Sequence, residues 1–157
     1  MLLEKAQAIA QKYLAEIKPF CIRAEIAGSI RREKLEVKDI EIVAIRDPKK
    51  ISAFKDWLDK LYKVRGDILG KYTQRQLPEG IKLDLFLADE SNWGCIFLIR
   101  TGPWKFSQRM MGTVTRQKGF VQEGGYLWKN GKKCFVPTEA SWFDMMGMEW
   151  VHPSKRF

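Results

Sequence analysis

The sequence predicts an α+β fold, in which a mixed β-sheet is flanked by helices and followed by a small α/β C-terminal lobe. Two stretches carry apolar residues at helical spacing, residues 2–18 and the segment after Asp47-Pro48. Strand-like stretches rich in aliphatic residues lie at 22–27, Asp39–Ile45 and 81–87. Helices and strands that alternate in this way within 157 residues are typical of one compact domain or two small lobes.

The first helix is predicted to pack behind the sheet and to end at Pro19. Its apolar positions are Leu2, Leu3, Ala6, Ile9, Ala10, Tyr13, Leu14 and Ile17. The second helix is predicted to bury Ile51, Phe54, Trp57, Leu58, Leu61 and Tyr62. Residues 64–77 are strand-like with a glycine break, and Pro78-Glu79-Gly80 predicts a turn into the next strand.

A glycine-serine turn and three acids form the candidate site. Gly28 and Ser29 offer free backbone N–H groups and a hydroxyl, which suit a phosphate. Asp39 and Glu41 share one face of the following strand, because side chains alternate along a strand. Asp84 is the single acid of a later apolar strand, where an unpaired aspartate is unfavourable. Three acids on adjacent strands beside such a turn are what two-metal phosphoryl or nucleotidyl transfer requires.

A mild change in composition predicts a domain boundary near residue 90, between domains 1–90 and 91–157. Beyond it, residues 93–99 are an apolar helix or strand, and residues 104–118 are predicted to be a helix. Gly119 is predicted to end that helix as a C-terminal cap.

The end of the chain is predicted to form a hairpin and a short helix. Asn130-Gly131 is a strong turn signal between residues 120–128 and 133–136. Thr138 and Ser141 begin the helix. Its predicted core residues are Trp142, Phe143, Met145 and Met146.

The charge balance favours a polyanionic partner. The net charge is +9 and the isoelectric point is about 9.5, although the candidate site itself gathers acids. The surface elsewhere is therefore basic, which is typical of a nucleic-acid-binding protein.

The N-terminus and the cysteines indicate an intracellular protein. Glu4, Lys5 and Lys12 interrupt the first apolar stretch, so it is predicted to be neither a signal peptide nor a membrane span. Three widely spaced cysteines without a Cys-x-x-Cys pair argue against a zinc site or disulfide framework. We expect the cytoplasm or nucleoid, or the host cell if the protein is viral, and no membrane partner.

The motifs in order resemble the nucleotidyltransferase superfamily and, within it, the family X DNA polymerases, the polymerase beta group. The palm motif of that superfamily matches Gly28-Ser29, the pair Arg31-Arg32, Asp39-x-Glu41 and Asp84. The thumb of family X is similar to the remaining motifs, which are Thr101-Gly102-Pro103, Lys118-Gly119-Phe120, and Pro137-Thr138-Glu139 leading to Trp150. The resemblance implies a palm over residues 1–90 and a thumb-like, DNA- and nucleotide-binding lobe over residues 91–157.

The resemblance also implies how the acids act. Asp39 and Glu41 would hold two Mg²⁺ ions, with Mn²⁺ as a substitute, and Asp84 would complete the coordination of the ion on the primer side. Asp84 would also accept the proton of the attacking hydroxyl, directly or through water.

The nucleotide contacts are carried over in the same way. Ser29 and Arg32 match the residues that contact the β- and γ-phosphates in the family, and Gly28 is the neighbouring glycine of the same turn. Arginine suits this role because its planar guanidinium can bind two phosphate oxygens. Gly102 matches the glycine beside the incoming sugar. Ile99-Arg100 replaces the aromatic pair that in the family precedes Thr-Gly and checks the sugar 2′ position, so ribonucleotide use is one expectation.

Two further departures concern the acids. Glu41 replaces the aspartate usual in family X, although Asp-x-Glu is found in other nucleotidyltransferases. Lys38 replaces a small glycine before the first acid.

DNA is the expected partner, as a gapped or primer-template duplex, together with nucleoside triphosphates and a ligase or another repair protein. The chain is expected to act as a monomer. Residues 1–27 leave no room for the family's lyase and helix-hairpin-helix modules, so basic residues of the C-terminal lobe would hold DNA. The candidates are Arg109, Arg116, Lys118, Lys129, Lys132, Lys133, Lys155 and Arg156.

The sequence thus predicts a minimal DNA-directed DNA polymerase that adds nucleotides to a primer 3′-hydroxyl in gap-filling repair. Three alternatives stay open. The first is a nucleotidyltransferase with an RNA, protein or small-molecule acceptor. Glu41 and Arg100 keep it open, and the thumb-like motifs and the basic C-terminal lobe argue against it. The second is a template-independent terminal transferase. The third is a non-catalytic nucleic-acid-binding module, against which the three intact acids argue.

Overall fold

Residues 1–88 build a mixed five-stranded sheet with helices on one face. The computed structural model describes residues 1–157, and the chain forms two compact units, Met1–Ala88 and Asp89–Phe157. The elements of the first unit are α1 (Leu3–Ile17), β1 (Cys21–Ile26), α2 (Gly28–Arg31), β2 (Asp39–Arg46), α3 (Ile51–Leu58), β3 (Tyr62–Gly66), β4 (Tyr72–Gln76) and β5 (Lys82–Ala88). The mixed α+β character predicted from the sequence is confirmed, and the division falls beside the boundary predicted near residue 90.

The strand order is β1-β2-β5-β4-β3, in which only β2 and β5 run parallel. The register aligns Glu41 with Asp84, and Asp84 in turn with Gln74. Residues directly opposite each other across a ladder point to the same face of the sheet. The three side chains therefore share one face.

The other face of the sheet is the core of this unit. Ile40, Ile42, Leu83 and Leu85 are fully buried there, and they belong to one cluster with apolar residues of α1 and α3. The alternation of buried aliphatic and less buried acidic residues along β2 follows from the two-residue period of a strand. The core thus holds the acids on the opposite, polar face.

Two apolar residues of the first unit that were predicted to pack in the core, Leu2 and Tyr62, are exposed. Leu2 is 70% exposed, because it lies before the first residue of α1. Tyr62 is 75% exposed, because α3 ends at Leu58 and Tyr62 begins the edge strand β3. Helical spacing therefore no longer applies to it. Phe54 and Leu58 are buried as predicted.

The second unit contains helices around a small three-stranded sheet. Its elements are α4 (Trp93–Thr101), α5 (Trp104–Gln108), a π-helix (Arg109–Val114), α6 (Thr115–Gln117), β6 (Val121–Glu123), β7 (Tyr126–Lys129), β8 (Lys132–Lys133) and α7 (Glu139–Met145). Its core includes Leu98, Phe106, Leu127, Trp142 and Phe143. No helix of the chain is long and apolar enough to cross a membrane.

The predicted helix over 104–118 is present but is not α-helical throughout. Residues 109–114 are wound more loosely than an α-helix, as a π-helix, and this insertion is not visible in apolar periodicity. Gly119 has φ +83° after the last helical turn, as predicted for a capping glycine. The Phe120 N–H donates to the Thr115 carbonyl at 2.8 Å and closes the helix end.

Three further predictions for the second unit need correction. Gly124 and Gly125 make an additional hairpin between β6 and β7, beside the predicted hairpin at Asn130-Gly131. Met145 is 37% exposed, because it lies on the outer side of α7. Arg156 was predicted to contact DNA, but it is 2% exposed and donates two hydrogen bonds to Glu139, so its guanidinium is not available to DNA.

Candidate active site

The three acids lie on the polar face of the sheet, on the paired strands β2 and β5. Asp39 opposes Lys82, and Glu41 opposes Asp84. Adjacent strands lie about 4.8 Å apart, so neighbouring carboxylates on one face interact directly. The strand pairing thus brings together the acids that are 43 or more positions apart in the chain.

The charges of these acids are mutually unfavourable. Burial and the charge of Asp84 raise the pKa of Glu41 to about 7, although Arg32 acts in the opposite direction. Burial and Asp84 also raise the pKa of Asp39, against the lowering effect of Lys82 and Lys38. Burial and the charge of Asp84 therefore both disfavour the ionised forms of Asp39 and Glu41 in the folded chain.

The Gly28-Ser29 turn packs directly against Glu41. Gly28 has φ +63°, and a Cβ added there would lie 1.5 Å from Glu41 Oε2. The Ala27 N–H donates to the Glu41 carbonyl at 2.8 Å, and the Ser29 N–H donates to the Glu41 carboxylate. Only glycine satisfies both the backbone conformation and the space at position 28. The predicted turn is the first part of α2, a single helical turn.

Asp84 is held from the side of β4. The Tyr72 hydroxyl donates to Asp84 Oδ1 at 2.5 Å, and the Gln74 amide donates to the same oxygen at 2.7 Å. The Tyr72 ring is stacked on Phe86, with ring centroids 5.0 Å apart. Burial and the hydrogen bond to Asp84 raise the pKa of the Tyr72 hydroxyl, so it remains a proton donor in this contact.

A cavity of about 910 Å³ opens beside the turn and the acids. It is lined by Ser29, Arg32, Glu33, Lys34, Leu35, Glu36, Lys38, Asp39 and Glu41. The loop between α2 and β2 forms much of its wall and is held by the N-terminus, since the Met1 amine donates to the Val37 carbonyl at 3.0 Å. A volume of this size can contain a nucleotide.

The donor atoms of this site suit a hard divalent cation. Carboxylate oxygens are the ligands that Mg²⁺ prefers. Burial first, and then the charge of Asp84, raise the pKa of Glu41, and a cation would favour its ionised form. Gln74 Oε1 is an additional buried oxygen without a hydrogen-bond partner. No group of three or more His, Cys, Asp and Glu side chains is already arranged around a common point that could hold a metal. The register nevertheless pairs Glu41 with Asp84 on adjacent strands.

The predicted DNA contacts of the helical segment are exposed and cluster in part. Arg109, Arg116 and Lys118 are all exposed. A second cavity of about 510 Å³ is lined by Lys105, Gln108, Arg109, Gly112, Thr113 and Arg116. It contains three cationic side chains and no acid, which suits a phosphate.

The remaining predicted DNA contacts lie in the small sheet. The Lys129 amine lies 4.7 Å from the centroid of the Phe120 ring, and the Lys133 amine lies 4.0 Å from that of Tyr126. Lys132 is exposed at the start of β8. Lys155, the last candidate, is also exposed, in a short 3₁₀-helix.

Arg100 and Gly102, predicted to contact the nucleotide, belong to the second unit. Arg100 lies in the last turn of α4, and Gly102 caps that helix with φ +64°. The structure of the first unit by itself gives neither residue a place in the cavity beside the acids.

Sequence reasoning missed the contributions of β4 and of the loop after α2. Tyr72 and Gln74 alternate in the predicted strand 64–77, which indicates a shared face but not which strand lies beside it. Lys34 and Lys38 were visible only as basic loop residues. Their position at the cavity depends on the fold of that loop.

Comparison with known proteins identifies no family. Neither a scan against protein-family models nor a search of the curated proteins gives a match for this chain.

Proposed function

We propose that the protein is a DNA polymerase that adds nucleotides to a primer 3′-hydroxyl by metal-dependent nucleotidyl transfer. The observation that carries the proposal is the pairing of Glu41 with Asp84 across parallel strands, with the Gly28-Ser29 turn packed on Glu41. This arrangement brings carboxylates and a phosphate-binding turn to one place. In the proposal the first unit is a nucleotidyltransferase palm and the second is a thumb-like lobe.

The turn and its neighbours bind the triphosphate. Ser29 and Arg32 line the cavity, and in this proposal their hydroxyl and guanidinium contact the β- and γ-phosphates. Lys34 and Lys38 line the same cavity and add positive charge to its wall. The half-buried position of Arg32 strengthens its attraction to phosphate, because water screens it less.

The acids prepare the reacting groups. Asp39, Glu41 and Asp84 would hold two divalent cations, which make the 3′-hydroxyl a better nucleophile and stabilise the leaving pyrophosphate. Asp84 accepts the hydroxyl proton as the new P–O bond to the α-phosphate forms. The bond between the α-phosphorus and the oxygen that bridges it to the β-phosphorus breaks, and pyrophosphate leaves with the electron pair of that bond.

The acceptor is DNA in this proposal because of the charge on the second unit. Arg109, Arg116 and Lys105 surround a cavity without acids, and Lys129, Lys132 and Lys133 lie on the small sheet. Cations of this kind bind phosphates of the backbone without reading its sequence.

Primer extension tests the proposal. Gapped, recessed and single-stranded DNA would be offered with each dNTP and each rNTP separately, in Mg²⁺ or Mn²⁺. We expect template-matched addition on gapped or recessed DNA, and the dNTP-to-rNTP ratio would report how Arg100 affects the sugar. Addition to single strands regardless of template would indicate a terminal transferase. Metal-dependent nucleotide binding without addition to any DNA would contradict the polymerase and favour another acceptor.

A further inference from the structure

Strand β4 supplies the immediate surroundings of Asp84. Both hydrogen bonds that its carboxylate receives end on Oδ1, one from Tyr72 and one from Gln74. An ionised carboxylate oxygen has two lone-pair directions, so these donors saturate Oδ1. Oδ2 is then the oxygen of Asp84 that can bind a cation.

Gln74 contributes a second feature, an acceptor without a donor. Its side chain is 6% exposed, and its Oε1 has no hydrogen-bond partner. The amide orientation is fixed chemically, because turning it over would bring Oε1 against Asp84 Oδ1 in place of the amide N–H. Buried carbonyl oxygens are almost always paired, so an orphan beside a candidate metal ligand points to a missing donor.

A hydrated divalent cation supplies such a donor. Mg²⁺ dehydrates reluctantly and keeps several waters, whose hydrogens point away from the ion. Outer acceptors that bind such waters orient the ion and tune its affinity. Gln74 lies directly opposite Asp84 in the antiparallel ladder, so it is in register to meet a cation held by Asp84.

We propose that Gln74 and Tyr72 are the positioning residues of the cation site at Asp84. Both residues donate hydrogen bonds to Asp84 Oδ1 and so leave Asp84 Oδ2 for the cation. Gln74 Oε1 accepts a hydrogen bond from a water in the hydration shell of that cation. This inference rests on the proposed function for the presence of the cation, but it assigns a role to β4 that neither the sequence motifs nor the family resemblance contains.

Mn²⁺ binding to the full chain without DNA or nucleotide, followed by electron paramagnetic resonance, tests this assignment. Gln74→Met removes both the donor and the acceptor, and we expect it to weaken Mn²⁺ binding about tenfold or more. Tyr72→Phe removes one donor and keeps Oε1, so its effect should be smaller. Gln76→Met is the matched control, since Gln76 lies on the same face of β4 but bonds backbone carbonyls of Leu77 and Ile81. It should leave Mn²⁺ affinity unchanged.

Gln74→Glu separates positioning from simple loss of packing. It loses the donor to Asp84 Oδ1 but keeps an acceptor at this position and adds negative charge, so it should bind Mn²⁺ more tightly than Gln74→Met does. Affinity as low as that of Gln74→Met would contradict the role given to Oε1. Thermal unfolding would establish that each variant is folded. Unchanged affinity in Gln74→Met, or equal weakening in Gln76→Met, would overturn the inference.

Primer extension with the same preparations distinguishes this inference from the proposed function. A wild type that binds Mn²⁺ through Gln74 yet adds no nucleotide would contradict the polymerase and support the Gln74 assignment. A wild type that extends primers while Gln74→Met keeps full Mn²⁺ affinity would contradict the assignment alone. Absence of Mn²⁺ binding in a wild type that extends primers would contradict the assignment alone, and absence of both binding and extension would contradict both.

Discussion

The ionised carboxylate of Glu41 lowers the unfolding free energy of the protein, because it is mostly buried and lies near Asp84. Burial and Asp84 raise its pKa from 4.5 to about 7, so the folded state binds the proton more tightly than the unfolded state does. The stabilisation from protonated Glu41 is complete below the unfolded pKa and is lost as the pH rises through the folded pKa. The cost of the charge is therefore fully present only above pH 7.

Glu41→Gln should accordingly stabilise the protein at pH 8 in the absence of divalent cations. A neutral amide removes the penalty of burying the charge and the repulsion with Asp84, and the gain in unfolding free energy should reach at most about 3 kcal/mol. The gain should shrink as the pH falls from 7 towards 4.5, because wild-type Glu41 becomes protonated. Thermal unfolding at a series of pH values measures this.

The exposed Glu4→Gln provides the control, and it should change stability little at any pH. Mg²⁺ should stabilise the wild type at pH 8 and stabilise Glu41→Gln much less. A gain that is the same at pH 5 and pH 8 would contradict the role given to the Glu41 charge.

A second prediction concerns Gly28, where the structure leaves no room for a side chain beside Glu41. Gly28→Ala places a Cβ 1.5 Å from Glu41 Oε2 and strains a backbone with φ +63°. Gly80→Ala imposes a similar strain at φ +82° but meets no atom within 4 Å. Gly28→Ala should therefore reduce the unfolding free energy by about 1–3 kcal/mol more than Gly80→Ala does.

Chemical denaturation of both variants gives this difference, and nucleotide binding gives its functional counterpart. Gly28→Ala should weaken nucleotide binding, because Glu41 and the Ser29 N–H are displaced together. Equal destabilisation by the two variants would mean that the turn does not pack on Glu41 in solution.

At the scale of elements, local patterns predicted most of the strands and helices but not their neighbours. The alternation Asp39-Ile40-Glu41-Ile42 determines which face of β2 is polar, and the structure confirms it. The contacts of Tyr72 and Gln74 with Asp84 depend on the order β2-β5-β4, which no local pattern encodes. The acids of the site could thus be predicted, because they belong to motifs within single strands. The contacts that Tyr72 and Gln74 make with Asp84 could not be predicted, because they depend on the strand order.

The helical segment from Trp104 to Gln117 shows the same limit of local patterns. Its helical character could be predicted from apolar spacing, whereas the π-helix at Arg109–Val114 could not. A π-helical turn shifts the positions of all later side chains around the axis. Arg109 and Arg116 therefore share the lining of one cavity through the observed winding of this segment.

Arg116→Ala should reduce the salt dependence of DNA binding. If Arg116 neutralises one phosphate, the slope of log K against log salt should become shallower by about 0.9. Fluorescence anisotropy at several salt concentrations measures the slope. Lys49→Ala, which removes an exposed cation of the first unit, should leave it unchanged. An unchanged slope in Arg116→Ala would exclude a phosphate contact at that residue.

At the scale of the whole molecule, each unit has a core of its own. The cluster that includes Ile40 and Phe54 lies within Met1–Ala88, and the cluster that includes Trp142 lies within Asp89–Phe157. All three candidate acids and the cavity beside them belong to the first unit. Metal and triphosphate binding therefore need only that unit in our account, whereas DNA binding needs the second.

A fragment of residues 1–88 should fold cooperatively and bind Mn²⁺ with an affinity close to that of the full chain. It should bind DNA weakly, because Arg109, Arg116 and the lysines of the small sheet are absent from it. Denaturant unfolding and Mn²⁺ titration of the fragment check both statements. A fragment that binds DNA as tightly as the full chain would contradict the division of roles between the units.

The central claim is that Asp39, Glu41 and Asp84 transfer a nucleotide to DNA, and labelled nucleotides test it most directly. A gapped DNA would be incubated with dNTP labelled at either the α- or the γ-phosphate. The account predicts that only the α-label enters DNA, that Asp84→Asn abolishes its transfer, and that Asp56→Asn, at an exposed acid of α3, retains it. Transfer of the γ-label, or undiminished transfer of the α-label by Asp84→Asn, would contradict the account.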